Sequence, residues 1–576
     1  MTRRTPPFTG VLFTLLVAAA AFWLWRATRP AGDLAPPAAP SRGGTLVAAI
    51  SAAPRSLAAL ASADEGTALL DALTQGRLVR LDPDTGEPEP WLAEAWQSSP
   101  DGRTHTLRLR TLTWSDAAPF TSADVVFSLG AARGARTAGG PAASSPLDGL
   151  GVDALDERTV VVTVREPSPP GAGLLADLPI YPKHRLDAAL ASGTLASAWP
   201  IGTAPSALAG TGPFVLAAYE RGTRLVLERN PRYWRRAPDG LPLPYLDRLV
   251  LEIVPAADEA LRRLEAGTVD LIHDPLPLEA VAGVRRAEGE GRLALLDLGV
   301  EAAAEAVWFC LGPPAAGGSR RAALARRQEF RQALSHAVDR EAFAGSVLLG
   351  EAVPVWGPVT PGNRAWFTPN VPRYPPDTDR ARALLASIGL EDRDADAVVE
   401  DETGVEARFT LVTARDGPPS YARGAAAVRE AAARIGVAFD VQPLEAATLA
   451  SRLARCDYDA AYLRPPAIPG DPARRLDFWL SSGAAHVWHP SQASPATPWE
   501  ARIDALMREQ AATPDPARRR ALLDETLRLF GEQTPIVYLA APRAYAAHAT
   551  RVGGTTPGTG RRPLSRDVDS LYVRTP

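Results

Sequence analysis

A chain of 576 residues is too long for a single hydrophobic core, so two or three domains are expected. An apolar fraction of 46% with 22% charged residues is that of a folded globular protein and excludes general disorder. A net charge of -4 offers no bulk basic charge for a polyanion, so no nucleic-acid partner is expected.

The first informative segment is Phe8 to Trp25, apolar apart from Thr9, Gly10 and Thr14. As a helix it would span about 27 Å, close to a hydrocarbon core of about 30 Å. Arg3 and Arg4 favour a cytoplasmic N-terminus, and Trp23 and Trp25 stand where interfacial aromatics belong. Ala19-Ala20-Ala21 offers a signal-peptide cleavage site, but cutting there would leave Phe22-Trp23-Leu24-Trp25 exposed. An uncleaved signal-anchor over residues 1–29 is therefore expected, followed by a Pro/Ala linker over 30–42. Both readings export the rest of the chain, and the absence of Cys here excludes a lipidated N-terminal Cys as tether. Only Cys310 and Cys456 occur. Export permits a bridge between them, but two cysteines are no framework, and two buried free thiols are the favoured reading.

Thr104 to Arg110 alternates apolar and polar residues as a half-buried strand does, after a turn at Pro100-Asp101-Gly102. Phe214 to Tyr219 and Arg224 to Glu228 read as a hairpin around Glu220-Arg221-Gly222. Ala256 to Ala266 has helical composition, Gly267 can take a left-handed cap, and Val269 to Ile272 follows as a strand. Phe330, Ala333, Leu334, Ala337 and Val338 form a core-facing helical stripe. Beyond it, strands at Arg408–Val412, Val437–Val441 and Tyr458–Leu463 alternate with helices at Tyr421–Ile435 and Glu445–Arg455. This alternation requires crossovers and a largely parallel sheet. A helix at Arg518–Phe530 and a strand at Pro535–Leu539 complete the pass.

Several phrases occur together in a fixed order: Gly43-Gly44-Thr45-Leu46-Val47, Trp91-Leu92-Ala93-Glu94-Ala95-Trp96, Trp114-Ser115-Asp116 through Ser128, Gly210-Thr211-Gly212-Pro213-Phe214, Arg229-Asn230-Pro231-Arg232-Tyr233-Trp234, Phe330 through Arg340, Asp457-Tyr458-Asp459-Ala460 and Thr534-Pro535-Ile536-Val537. In this order they resemble the extracytoplasmic solute-binding proteins of family 5, the peptide-, dipeptide- and oligopeptide-binding components of ABC importers. The resemblance runs from about Gly43 to Tyr572. It implies an α/β, two-lobed periplasmic-binding-protein fold of type II, hinge-connected, with an extra domain in the first lobe. The implied parts are lobe 1 over 43–80, 210–309 and 533–576, its extra domain over 81–209, and lobe 2 over 310–532. Hinge crossings are expected near Val307–Leu311 and Glu532–Tyr538.

The implied activity is capture of a peptide or similar small molecule between the lobes and its delivery to ABC permease subunits served by a separate ATPase. The protein would be an extracytoplasmic monomer, periplasmic or at the cell surface, tethered to the cytoplasmic membrane. Closure would follow from the ligand's differential affinity for the closed state. Departures from the family pattern bear on the ligand. After the Tyr-Asp-Ala phrase, peptide-binding relatives carry Gly-Trp and an acid, where this chain has Leu463-Arg464-Pro465-Pro466. Arg464 would suit an anionic group better than an ammonium. Asp116-Ala117 replaces the usual Asp-Gly turn, and Cys310 the usual hinge Asn.

No Gly-x-Ser-x-Gly, His-Glu-x-x-His or P-loop occurs, so neither an enzyme nor a cofactor is expected. Gly289 to Ala294 mimics a dinucleotide fingerprint but lacks the preceding strand. His486 and His489 are too few for a closed metal site, so no protein metal site is expected. A metal chelate, haem or other non-peptide ligand, or a sensor or scaffold of the same fold, is the alternative. The candidate ligand-binding residues are Tyr462 and Arg464, at the carboxyl end of a parallel-type strand, with Asp471 and Trp488 in the loops beyond. Asp471 reads equally as a helix cap, and Trp488 equally as core.

Overall fold

The computed structural model describes residues 40–574 except 41, 60–63, 83, 138–148, 166–172, 174, 177, 313–319 and 559–561. The expected anchor over 1–29 lies outside the described residues, as does most of the linker. Among the described residues no helix is long and apolar enough to cross a membrane.

One strand organises the molecule. Ile536–Ala549 runs for 14 residues and is buried along most of its length. Its first part pairs antiparallel with Glu305–Phe309 on one side and Ala352–Pro354 on the other. From Arg543 it exchanges both partners, pairing with Leu293–Val300 and Leu271–Ile272. Two sheets therefore meet along one continuous backbone. The first contains Phe214–Glu220, Arg224–Arg229, Arg248–Ile253, Thr45–Ile50 and Leu271–Ile272 in that spatial order. Within it, Thr45–Ile50 is parallel to both of its neighbours. The second contains Glu305–Phe309, Ala460–Leu463, Arg408–Ala414 and Ala438–Leu444, the last three parallel. These are the sheets of the two lobes.

The chain passes between lobes at Val300–Glu305 and at Pro542–Arg543. The first crossing precedes the expected Val307–Leu311, and the second follows the expected Glu532–Tyr538. The reason is that a strand can change partners without any change of composition. Pro535–Leu539 reads as a strand, but nothing in its apolar run announces that it continues to Ala549. Similarly, the strand expected over Val269–Ile272 is hydrogen-bonded as a ladder only at Leu271–Ile272.

The extra domain holds a four-stranded antiparallel sheet: Ala93–Ser98, Thr104–Leu109, Thr159–Val164 and Leu150–Asp156. Leu107 and Leu109 are fully buried while Arg108 is exposed, which is the alternation the period of two demands. The helix Gln328–Ala337 buries Phe330, Ala333 and Leu334 against the second lobe's sheet. Gly267 and Gly436 end their helices at φ of +72° and +81°, a conformation that costs a side-chain-bearing residue about 1 kcal/mol.

The cysteines correct the expectation of free thiols. Cys310 and Cys456 form a disulfide with Cα atoms 5.4 Å apart. Phe309 pairs with Ala460 across antiparallel strands, and the Cys310 N–H donates to the Asp459 carbonyl at 3.2 Å. The end of one strand thus lies beside the approach to the other, a proximity that their separation of 146 residues conceals.

Candidate ligand-binding site

The crossing strands bring a charged cluster to the junction of the lobes. Glu301 sits in the first crossing, where its N–H donates to the Pro542 carbonyl at 2.8 Å. Thr360 Oγ1 donates to the Glu301 carbonyl at 2.7 Å. Gly362 packs so tightly against Val300 and Glu301 that a Cβ there would overlap the Val300 carbonyl. Four residues on, the Glu305 side chain is fully buried. Its Oε1 accepts from Ser420 Oγ at 2.6 Å and its Oε2 accepts from the Tyr462 hydroxyl. Gly424, on the helix Pro419–Ala433, leaves room for that hydroxyl, since a Cβ there would collide with it.

Arg464 leaves the end of Ala460–Leu463 and turns into this cluster. It donates to Glu301 Oε2 at 2.9 Å and lies 3.5 Å from Glu305 Oε1. Its Nε is buried with no acceptor among the described residues. Burial pushes the Glu301 carboxyl up, and so does Glu305, while Arg464 and Arg562 oppose the rise. Burial likewise raises the phenol of Tyr421, whose ring meets that of Tyr462 edge-on at 6.1 Å.

The first lobe faces this cluster with Arg562, which donates to Asp274 at 2.9 Å and to Glu65 at 3.2 Å. Ser51 N–H donates to the other Asp274 oxygen at 2.6 Å. Burial pushes the neighbouring His273 down to about 4, so its imidazole is neutral near pH 7. Counted together, Glu65, Asp274, Glu301 and Glu305 oppose only Arg464 and Arg562, a formal excess of two negative charges. Three ion pairs span the lobes nearby: Asp84–Arg364 at 2.8 Å, Glu279–Arg423 at 2.8 Å and Glu351–Arg285 at 2.7 Å.

Of the residues singled out in the sequence, Arg464 and Tyr462 both reach this cluster, but Tyr462 does so fully buried, from within the core of lobe 2, and is no cleft wall. Arg464 is not the free cation its neighbours in sequence suggest, because two carboxylates already claim its guanidinium. Asp471 and Trp488 are placed elsewhere. Asp471 is buried, both its carboxylate oxygens accept from Arg519 Nη2 at 2.6 and 2.7 Å, and it caps the turn Pro472–Arg475. Trp488 is fully buried between Phe478, Phe530 and His486, its Nε1 donating to Glu500 at 3.2 Å, so it is core and not cleft wall. His486 belongs to the same core, with Nδ1 3.0 Å from the Phe478 carbonyl. Sequence reasoning missed Glu301 and Glu305. Their only local signal is two acids four residues apart at the start of the strand Glu305–Phe309.

The model of the bacterial extracellular solute-binding proteins, family 5, matches residues 87–486. The chain is 25% identical over 513 residues to a probable ABC transporter-binding protein of Deinococcus radiodurans, covering 84% of each. It is 26% identical over 504 residues to heme-binding protein A of Haemophilus influenzae, covering 83% of each. The fold superimposes with a TM-score of 0.67 on the oligopeptide-binding protein AppA of Bacillus subtilis, solved in complex with a nonapeptide, at 21% identity over 93% of this chain and 100% of that one. With a match that spans well over half its length and the two-lobed architecture behind it, the chain belongs to the bacterial extracellular solute-binding proteins of family 5.

Proposed function

We propose that this substrate-binding component of an ABC importer closes its lobes over a peptide or similar small solute and receives the solute's cationic group in the acidic cluster at the hinge. The observation that carries this reading is the excess of four carboxylates over two guanidiniums, Glu301 and Glu305 on Arg464 and Glu65 and Asp274 on the facing Arg562. Glu305 is fully buried and Glu301 and Asp274 are partly so, and carboxylates left uncompensated in such surroundings favour a cationic partner. Arg464 then serves as a brace between the carboxylates, with Tyr462 fixing Glu305, in place of the anion receptor suggested by sequence position.

The moving bodies are those read from the sequence, with their edges at the two crossings. The chain acts as a monomer without catalysis, presents its closed surface to permease subunits served by a separate ATPase, and is held outside the cytoplasm by the Phe8–Trp25 segment. The similarity to a haem-binding protein supports haem or a metal chelate as the second reading. Calorimetry of the full chain with a defined peptide mixture and with haemin separates the two. Under the first reading, Glu301→Gln weakens a peptide with a free amino terminus about tenfold and leaves its N-acetylated form unchanged. Equal losses for both forms would remove the assignment of the cluster.

A further inference from the structure

A second cluster of acids lies in lobe 2, away from the hinge, in the loop between the helix Thr378–Ser387 and the strand Arg408–Ala414. One carboxylate oxygen each of Asp392, Asp394 and Glu400 lies within 4.8 Å of the other two. Asp392 and Asp394 are exposed, but Glu400 is only 7% exposed. Its Oε1 accepts from the Arg393 N–H at 2.8 Å, whereas its Oε2 is buried and has no partner among the described residues. A carboxylate oxygen shut away from water without a donor is an expensive feature to retain. We propose that this loop binds one divalent cation of calcium type, with Asp392, Asp394 and Glu400 as its side-chain ligands.

The loop's cation does not fill the site. Arg393 donates instead to the Glu400 and Gly389 carbonyls and lies 3.6 Å from Glu391. The ends of the loop are clamped by paired backbone bonds between Glu391 and Glu400, at 2.9 and 3.1 Å, so the carboxylates are gathered before any ion arrives. An all-oxygen donor set selects a hard cation. Calcium accepts irregular sets of oxygens at about 2.4 Å, as a loop offers, whereas magnesium demands a near-ideal octahedron at about 2.1 Å.

The spacing Asp392-x-Asp394-x-Asp396 matches the first half of a calcium loop, and Ala397, at φ +70°, stands where such loops place glycine. The Ala397 N–H donates to Asp392 Oδ2 at 3.0 Å, closing the turn. The twelfth position is Thr403 instead of a bidentate Glu, so affinity should be modest, with Kd on the order of 10⁻⁴ to 10⁻³ M, the range of extracellular modules.

The test is calcium calorimetry and thermal melting on the full chain after chelator treatment. One saturable calcium site is expected, with a rise in Tm of a few degrees at a calcium concentration of about ten times Kd. Asp392→Asn and Asp394→Asn, both at exposed positions, should each weaken binding at least about tenfold, and Glu400→Gln should abolish it. Because Glu400 is buried, the two exposed variants decide the matter if Glu400→Gln does not fold. Absence of saturable binding up to about 10 mM calcium, binding unchanged in both aspartate variants, or tighter binding of magnesium than of calcium would each overturn the assignment.

Discussion

The buried acids define this molecule at the residue scale. Glu305 is tolerated in the interior because Ser420, Tyr462 and Arg464 all address it, and Glu500 because His486, Gln492 and Thr497 do. Against the upward push of burial, those hydrogen bonds bring Glu500 down to about 2. A carboxyl depressed on folding contributes stability above its unfolded value, near 4.5, and that contribution disappears as pH falls towards 2. Denaturant titrations should therefore show Glu500→Gln losing less stability than the native chain between pH 4.5 and pH 2, from a lower starting point. Parallel losses would contradict the network. Arg464 shows where sequence reading stops at this scale. Its place at a strand end is legible, but its charge environment is set by Glu305, 159 residues away, and no local pattern encodes that meeting.

Elements were legible where their signal is local. The alternation at Thr104–Leu109, the hairpin of Phe214–Glu220 with Arg224–Arg229, and the helix capped by Gly267 all follow from spacing and turn chemistry over a few residues. The long strand Ile536–Ala549 was only half legible, because its exchange of partners at Pro542–Arg543 depends on what the rest of the chain delivers to its edges. The disulfide is a case of the same kind, since it depends on strand pairing between distant segments. It ties Cys310, just past the strand Glu305–Phe309, to the left-handed cap of the helix Ala446–Arg455. Closing so long a loop in the unfolded chain should contribute about 2–5 kcal/mol. Reduction, or the double change Cys310→Ala with Cys456→Ala, should lower the denaturant midpoint accordingly. An unchanged midpoint under reducing conditions would show that the bridge carries no stability.

The two lobes are built on sheets that share one strand, with a charged cluster where they meet and ion pairs between them. Exposed pairs such as Asp84–Arg364 each contribute at most about 1 kcal/mol, so the closed arrangement needs a ligand to dominate. That dependence is what a carrier requires, since it must distinguish loaded from empty before docking. The most direct test is the distance between the lobes. With spin labels at Leu241→Cys and Leu349→Cys, both exposed and on opposite lobes, the label separation should narrow and shorten when a binding peptide is added to the full chain. A distance distribution that peptide binding leaves unchanged would contradict closure.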